Sequence, residues 1–168
     1  VVGETGCLVR LSNPPFEMLD VKYSMGSSIG IASGLWHSGV RDRILAVTGD
    51  SVFFHTALNG LVNAAHHQAD IIVVIMDNET VALTGFQNRS GAGITAMGKN
   101  VRPIYPEEVA EAMGIDNVYT LDAFDKNAIR RTLQQVFSLK GLSVIIVRGR
   151  CPHIESKQCR AIDVGGNL

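Results

Sequence analysis

The sequence predicts an α/β fold, a three-layer α/β/α sandwich around a mostly parallel sheet, and three observations carry that expectation. Residues 43–48 and 71–76 are short, nearly continuous apolar runs, the pattern of strands buried on both faces. Between them Phe54, Leu58, Leu61 and Ala65 recur at spacings of 4, 3 and 4, which predicts an amphipathic helix over 54–69. Strand, helix and strand within about 35 residues make a right-handed βαβ unit.

The other elements follow in order. Val1-Val2-Gly3 predicts a brief strand, with Glu4-Thr5-Gly6-Cys7 as its end and turn. Pro14-Pro15 makes residues 12–16 irregular, because proline donates no amide and restricts its predecessor. A short strand is expected over 19–23. Residues 24–36 are rich in small side chains, with Gly26, Gly30 and Gly34 on one side of any helix formed there. Each glycine costs such a helix roughly 1 kcal/mol. Two explanations stand, tight helix–sheet packing and close approach to a ligand. Residues 78–105 show no pattern, and a stretch that long in a compact domain is functional or mobile. Pro106-Glu107-Glu108 opens a short helix ending at Gly114, with Glu107, Glu108 and Glu111 on an exposed face. A strand over 117–121 follows. Asp125 then caps a helix whose buried stripe is Ile129, Leu133 and Val136-Phe137. Residues 143–147 form the last strand.

Size and composition bound the rest. With 168 residues, 46% of them hydrophobic, the chain suits one domain over 1–150, leaving 151–168 as a tail or interface arm. Fifteen basic against 16 acidic residues leave no basic stripe for nucleic acid. No apolar run reaches the roughly 20 residues of a membrane span, and no signal peptide is visible, so a cytoplasmic location is expected. Cys7, Cys151 and Cys159 contain no C-x-x-C, which argues against an iron–sulfur cluster bound by this chain alone. Cys151-Pro152-His153 with Cys159 fits no standard zinc spacing. The opening at Val1 inside an apolar segment reads as a processed chain or as part of a longer one.

The chemistry concentrates in residues 44–85. Two apolar runs end in Gly49-Asp50-Ser51 and Asp77-Asn78, with 25 residues between Ser51 and Asp77. In open α/β sheets ligands bind beyond the carboxyl ends of the strands. Asp50 offers a charged oxygen and Asn78 an amide oxygen, a donor set that suits magnesium completed by phosphate. Gly49 allows backbone approach, and the amides from Ser51 onward favour a phosphate at a helix start. The plainer alternative makes both tracts ordinary turn residues. His55 would project from the first helical turn toward the cleft, as a proton carrier or as a simple polar helix-start residue. His66-His67 are adjacent and read as solvated surface.

These tracts resemble the thiamine diphosphate motif, which runs from G-D-G or G-D-S to a terminal N-N or D-N. Together with Ser24-Met25-Gly26-Ser27-Ser28-Ile29-Gly30, Thr84-Gly85-Phe86-Gln87 and Val2-Gly3-Glu4-Thr5-Gly6-Cys7, the chain resembles the 2-oxoacid:ferredoxin oxidoreductases, and among them the indolepyruvate branch. The likeness runs over about residues 1–148. It implies that Asp50, Asn78 and the Thr80 carbonyl ligate Mg2+, and that Gly49, Ser51 and neighbouring amides meet the diphosphate. Met25, before Gly26 and Ser27, would prop the bent cofactor, and Cys7 and the loop with Thr84 and Gly85 would lie near cofactor or substrate. The implied activity is oxidative decarboxylation of a 2-oxoacid, with the acyl group passed to coenzyme A and electrons passed through iron–sulfur clusters to ferredoxin. Those clusters, and the glutamate that activates the cofactor's pyrimidine, would sit on a partner chain or a missing segment, so a pyrimidine-binding domain or subunit and an oligomer are expected. The family's upstream C-P-G-C segment is absent, and Asn88 stands where a proline usually follows the glutamine. Two other thiamine-dependent readings stand beside this one, a split non-oxidative 2-oxoacid decarboxylase and a non-catalytic cofactor-binding subunit. A phosphoacceptor receiver domain would need a lysine near the end of the last strand, where Val147 is followed by Arg148.

Overall fold

A computed structural model of the chain describes residues 1–154. Six strands, β1 (Val2–Glu4), β2 (Val21–Tyr23), β3 (Ile44–Gly49), β4 (Ile71–Asp77), β5 (Asn117–Asp122) and β6 (Ser143–Arg148), form one sheet in the order β2-β1-β3-β4-β6-β5. Every pairing is parallel. Side chains alternate between the faces. Ala46, Ile71, Val73, Ile75, Val144 and Ile146 pack in one core, and Ile72, Ile145 and Val147 in the other. Fully burying each valine or isoleucine among these contributes roughly 1.5–3 kcal/mol.

Helices α1 (Ser28–His37), α2 (Asp50–Val52), α3 (Leu58–His66) and α4 (Pro106–Ala112) contribute to the first core, and α5 (Lys126–Ser138) covers the second through Val136. The three layers expected from sequence are therefore present. The Asp125 carboxylate caps α5, accepting from the amides of Asn127 and Ala128 at 3.1 and 2.9 Å. Of its expected stripe only Val136 is fully buried, while Phe137 is 44% exposed.

Three expectations need correction. The helix after β3 starts at Asp50, not Phe54, and a π-helical turn at Phe53–Ala57 joins α2 to α3. Phe53, Ala57, Leu61 and Ala64 are the fully buried residues there, and of the expected stripe Leu61 is among them while Phe54, Leu58 and Ala65 pack against the same core half-buried. The glycine series does not pack as a ridge either. Gly26 precedes α1 with φ +80, and a Cβ there would lie 2.1 Å from Thr56 Oγ1. Gly30 and Gly34 meet nothing within 4 Å, so close packing accounts for Gly26 alone. Finally, the strand expected over 19–23 is confined to Val21–Tyr23, whereas the strand end and turn expected at Glu4-Thr5-Gly6-Cys7 are present and lead into a 3-10 helix, Cys7–Ser12.

Residues 78–105 hold no helix or strand, only isolated bridges between Val81 and Gln87 and between Ile94 and Asn100. Of the arm expected over 151–168, Cys151 to Ile154 are described, and Cys159 lies outside the described residues. Among the described residues no helix is long and apolar enough to cross a membrane.

Topology places the site. The chain leaves β1 toward β2 on one side and β3 toward β4 on the other, so strand order reverses between β1 and β3. In register, Gly49 lies beside Met76 and Asp77 beside Arg148, which lines up polar strand ends across three strands.

Candidate functional site

Asp50 leaves β3 almost fully buried, at 3% exposure. Its Oδ1 accepts from the Ser51 amide at 2.8 Å, and its Oδ2 accepts from the Glu79 amide at 2.9 Å. That Glu79 amide also lies 3.3 Å from Asp77 Oδ1, so one backbone group bridges two carboxylates. It can do so because Glu79 adopts φ +63, a left-handed conformation that non-glycine residues rarely hold. Asn78 Oδ1 accepts from the Thr80 amide at 3.1 Å in an Asx turn, and Thr80 is buried. The Glu79 amide thus ties Asp50 to the tight turn that carries Asn78 and Thr80.

Two buried carboxylates this close need countercharge. Arg148 supplies part of it, donating from Nε to Asp77 Oδ2 at 2.8 Å and from Nη1 and Nη2 to the two Glu107 oxygens at 2.9 and 2.7 Å. Glu107, expected on an open helix face, is instead held in a bidentate pair. Arg89, 6% exposed, supplies the rest. Its Nε lies 2.9 Å from Asp50 Oδ2 and its Nη2 3.3 Å from Asp77 Oδ1. The Nε–H is not directed at a hydrogen-bond acceptor, so the Asp50 contact is an ion pair.

Burial pushes the Asp50 carboxyl up to about 7, and the neighbouring Asp77 adds to the rise. Burial also works against the Asp77 charge, but the Arg148 hydrogen bond and the Arg89 charge hold that group below its usual range. The folded Asp50 value lies above the ordinary 3.8, so its stabilising contribution is present below that value and is lost as pH rises through about 7. A cation on Asp50 needs the ionised form. We therefore expect thermal melts to show the metal-free protein losing stability between pH 4 and 7, while stabilisation by added Mg2+ and thiamine diphosphate grows over that window. Stabilisation by the added pair that does not change with pH would contradict this.

A third buried carboxylate, to which sequence reasoning gave no role, ties the site to β1. Glu4 is fully buried. Its Oε1 accepts from Thr48 Oγ1 at 2.6 Å and the Gly49 amide at 3.2 Å, and its Oε2 accepts from the Gly26 amide at 2.8 Å and Ser28 Oγ at 3.3 Å. Burial raises its pKa, and the four donors offset part of that rise. One side chain fixes the backbone at both Gly26 and Gly49. The available signal was an acid at the end of an apolar strand, the same signal that marked Asp50.

These strand ends open on a cavity of about 190 Å3 lined by Cys7, Met25, Gly49, Asp50, Ser51, Asn78, Leu83 and Thr84. Gly26, Ser27, Thr80 and Gly85 do not line it, though Gly26, Thr80 and Gly85 each adjoin a residue that does. Thr84 Oγ1 donates to Gln87 Oε1 at 2.8 Å and Gln87 Nε2 donates to the Thr84 carbonyl at 3.0 Å, closing the T-G-x-Q tract on itself. His55 is exposed on the π-helical turn and does not line the cavity. His66 and His67 are exposed as expected.

The donor set fits a hard cation. Among the described residues no group of three or more His, Cys, Asp or Glu side chains could cage a metal. A carboxylate, an amide oxygen and a backbone carbonyl leave the remaining octahedral positions to phosphate and water, the usual arrangement for magnesium.

Residues 4–147 match the family model described as thiamine pyrophosphate enzyme, C-terminal TPP binding domain. The chain is 36% identical over 162 residues to indolepyruvate oxidoreductase subunit IorA of Pyrococcus horikoshii, with 89% of this chain and 25% of that protein aligned. It is 35% identical to the subunit of the same name from Thermococcus kodakarensis, with 94% and 26% aligned. The chain therefore spans about a quarter of the length of these relatives. Among solved structures, 2-oxoglutarate:ferredoxin oxidoreductase from Magnetococcus marinus superposes with a TM-score of 0.79 at 17% identity, over 90% of this chain and 54% of that one. Benzoylformate decarboxylase from Polynucleobacter necessarius gives a TM-score of 0.60 at 20% identity, over 88% and 29%. Both share the fold.

Proposed function

The chain belongs to the C-terminal TPP-binding domain family of the thiamine pyrophosphate enzymes, and from that premise we propose that it forms the diphosphate-binding part of a 2-oxoacid:ferredoxin oxidoreductase acting on an aryl pyruvate such as indolepyruvate. The observation that carries the site is the Glu79 amide, which draws Asp50 to the turn bearing Asn78 and Thr80 at the mouth of the cavity. Asp50, Asn78 and the Thr80 carbonyl hold Mg2+ in this reading. Ser51 and the amides around Gly49 meet the diphosphate. Met25, held beside the anchored Gly26 and Ser27, props the cofactor, while Cys7, Thr84 and Gly85 shape the substrate side. Residues 1–150 form the working unit.

Thiamine diphosphate supplies, when bound, the nucleophilic carbon and the electron sink for decarboxylation. This chain's own residues bind and orient. The buried Asp50 presents one oxygen to the metal and keeps the other on the Glu79 amide. Leu83, Val81 and Leu8 give the cavity an apolar wall, which suits an aromatic substrate. No acid of this chain is assigned to the cofactor's pyrimidine. The pyrimidine-binding domain with its activating glutamate, the iron–sulfur clusters and the coenzyme A site belong to the rest of the protein or to a partner in a cytoplasmic oligomer. His55, exposed and outside the cavity, has no part in the reading.

The test is viologen reduction by the full-length protein with its partner, supplied with thiamine diphosphate, Mg2+ and coenzyme A. Reduction dependent on an aryl pyruvate is expected. Aldehyde release at the same rate without an electron acceptor would overturn the oxidative assignment.

A further inference from the structure

Arg89 lies in the unpatterned stretch between β4 and α4, in no motif quoted above, yet it is the most deeply placed arginine of the site. Its guanidinium sits between Asp50 and Asp77, with its carbon 5.3 Å over the centre of the Phe54 ring. The loop is built to keep it there. The Arg89 carbonyl accepts from the Ala92 amide at 3.1 Å, and the Gly91 carbonyl accepts from the Ile104 amide at 3.0 Å. Gly91 holds φ +81, and a Cβ there would lie 2.9 Å from the Ile104 carbonyl oxygen and 3.1 Å from Arg89 Nη1. A side chain at position 91 would press on the guanidinium itself.

Lone-pair accounting shows what Arg89 leaves free. A carboxylate has about four acceptor sites. Asp50 also faces Asp77 within hydrogen-bonding reach, but its Oδ2 meets both the Glu79 amide and Arg89, whereas Oδ1 accepts from Ser51 and is the oxygen left more open to a cation. Arg89 therefore stands on the oxygen that the metal does not need.

Charge decides the sign of its effect. A lone divalent cation would be repelled by a neighbouring guanidinium. A diphosphate ester carries about three negative charges near neutral pH against about two positive ones on magnesium, so the diphosphate end of the cofactor keeps a local net negative charge, its balancing thiazolium lying at the other end. Asp50 and Asp77 repel that charge, and Arg148 already shares its charge with Glu107. Arg89 is the remaining cation touching both aspartates among the described residues.

We propose that Arg89 is a positioning residue and the site's countercharge for the magnesium–diphosphate unit, holding Asp50 by Oδ2 so that Oδ1 is left toward the metal, and offsetting the local negative charge of the diphosphate. The inference rests on the cofactor reading above and goes beyond it in assigning a residue that none of the motifs marks.

The test compares native full-length protein, assembled with its partner, with Arg89→Ala and Arg89→Lys. Calorimetry measures thiamine diphosphate affinity in excess Mg2+, and Mn2+ paramagnetic resonance measures binding of the metal alone. Arg89→Ala should weaken cofactor binding by about 10- to 100-fold, the usual cost of losing an outer partner of a metal ligand. Binding of Mn2+ alone should be unchanged or tighter, and Arg89→Lys should recover part of the loss. A general collapse of the turn would weaken Mn2+ binding as well, and that result would overturn the proposal. Unchanged cofactor affinity in Arg89→Ala would overturn it too. Native protein that takes up no thiamine diphosphate would overturn the cofactor reading and this inference together, whereas native uptake with an indifferent Arg89→Ala overturns this inference alone.

Discussion

Replacing Asp50 with Asn is expected to weaken magnesium-dependent thiamine diphosphate binding by at least about 100-fold, the upper end of what even an outer partner of a metal ligand contributes. The substitution is nearly isosteric, and its amide oxygen still serves one of the two backbone donors, Ser51 or Glu79. It removes the charge that a hard cation requires. Arg89 keeps Asp77 as a partner, so no guanidinium is left unpaired. The fold should survive, because burial already disfavours the Asp50 charge. Calorimetry reads the loss and circular dichroism the intact fold. Native affinity in Asp50→Asn would remove Asp50 from the metal site.

The largest effect on stability is expected at Glu4. Glu4→Ala strips acceptors from two backbone amides, Gly26 and Gly49, and from two hydroxyls, Thr48 and Ser28. The hydroxyls can rotate toward other acceptors. The amides cannot, and each buried unsatisfied donor costs about 1–3 kcal/mol. Relief from burying a carboxylate offsets part of that cost, which leaves a loss of about 3 kcal/mol. Against a total of about 5–15 kcal/mol for a domain, the urea midpoint should fall clearly. Glu4→Gln should cost less but still destabilise, because an amide NH2 would face donors that a carboxylate accepts from. A native midpoint in Glu4→Ala would show that water or a backbone shift satisfies Gly26 and Gly49 without it.

The parts legible in the sequence were those with local signals. The apolar runs ending at Gly49 and Asp77 gave β3 and β4, and their polar ends gave Asp50 and Asn78 because a strand end in a parallel sheet points at the ligand cleft. The π-helical turn at Phe53–Ala57 was not legible, since it leaves no mark in a period-3.6 pattern. Gly30 and Gly34 misled because glycine spacing reports backbone freedom and not the presence of a neighbour. Glu4 and Arg89 share another reason. Glu4 meets Thr48, 44 residues away, and Arg89 meets Asp50 across the whole of β4, so only the folded sheet makes their roles visible. His55 looked close in sequence to Asp50, but the helix carries it outward to the exposed side.

The central claim is that Asp50, Asn78 and Thr80 hold a diphosphate through a metal at the end of β3 and β4. Calorimetric titration of thiamine diphosphate into the full-length protein with its partner tests this most directly, run with Mg2+ and again with EDTA in its place. Saturable one-site binding with Mg2+, lost in EDTA, is the predicted result. Binding of equal strength in both, or no binding in either, would contradict the account.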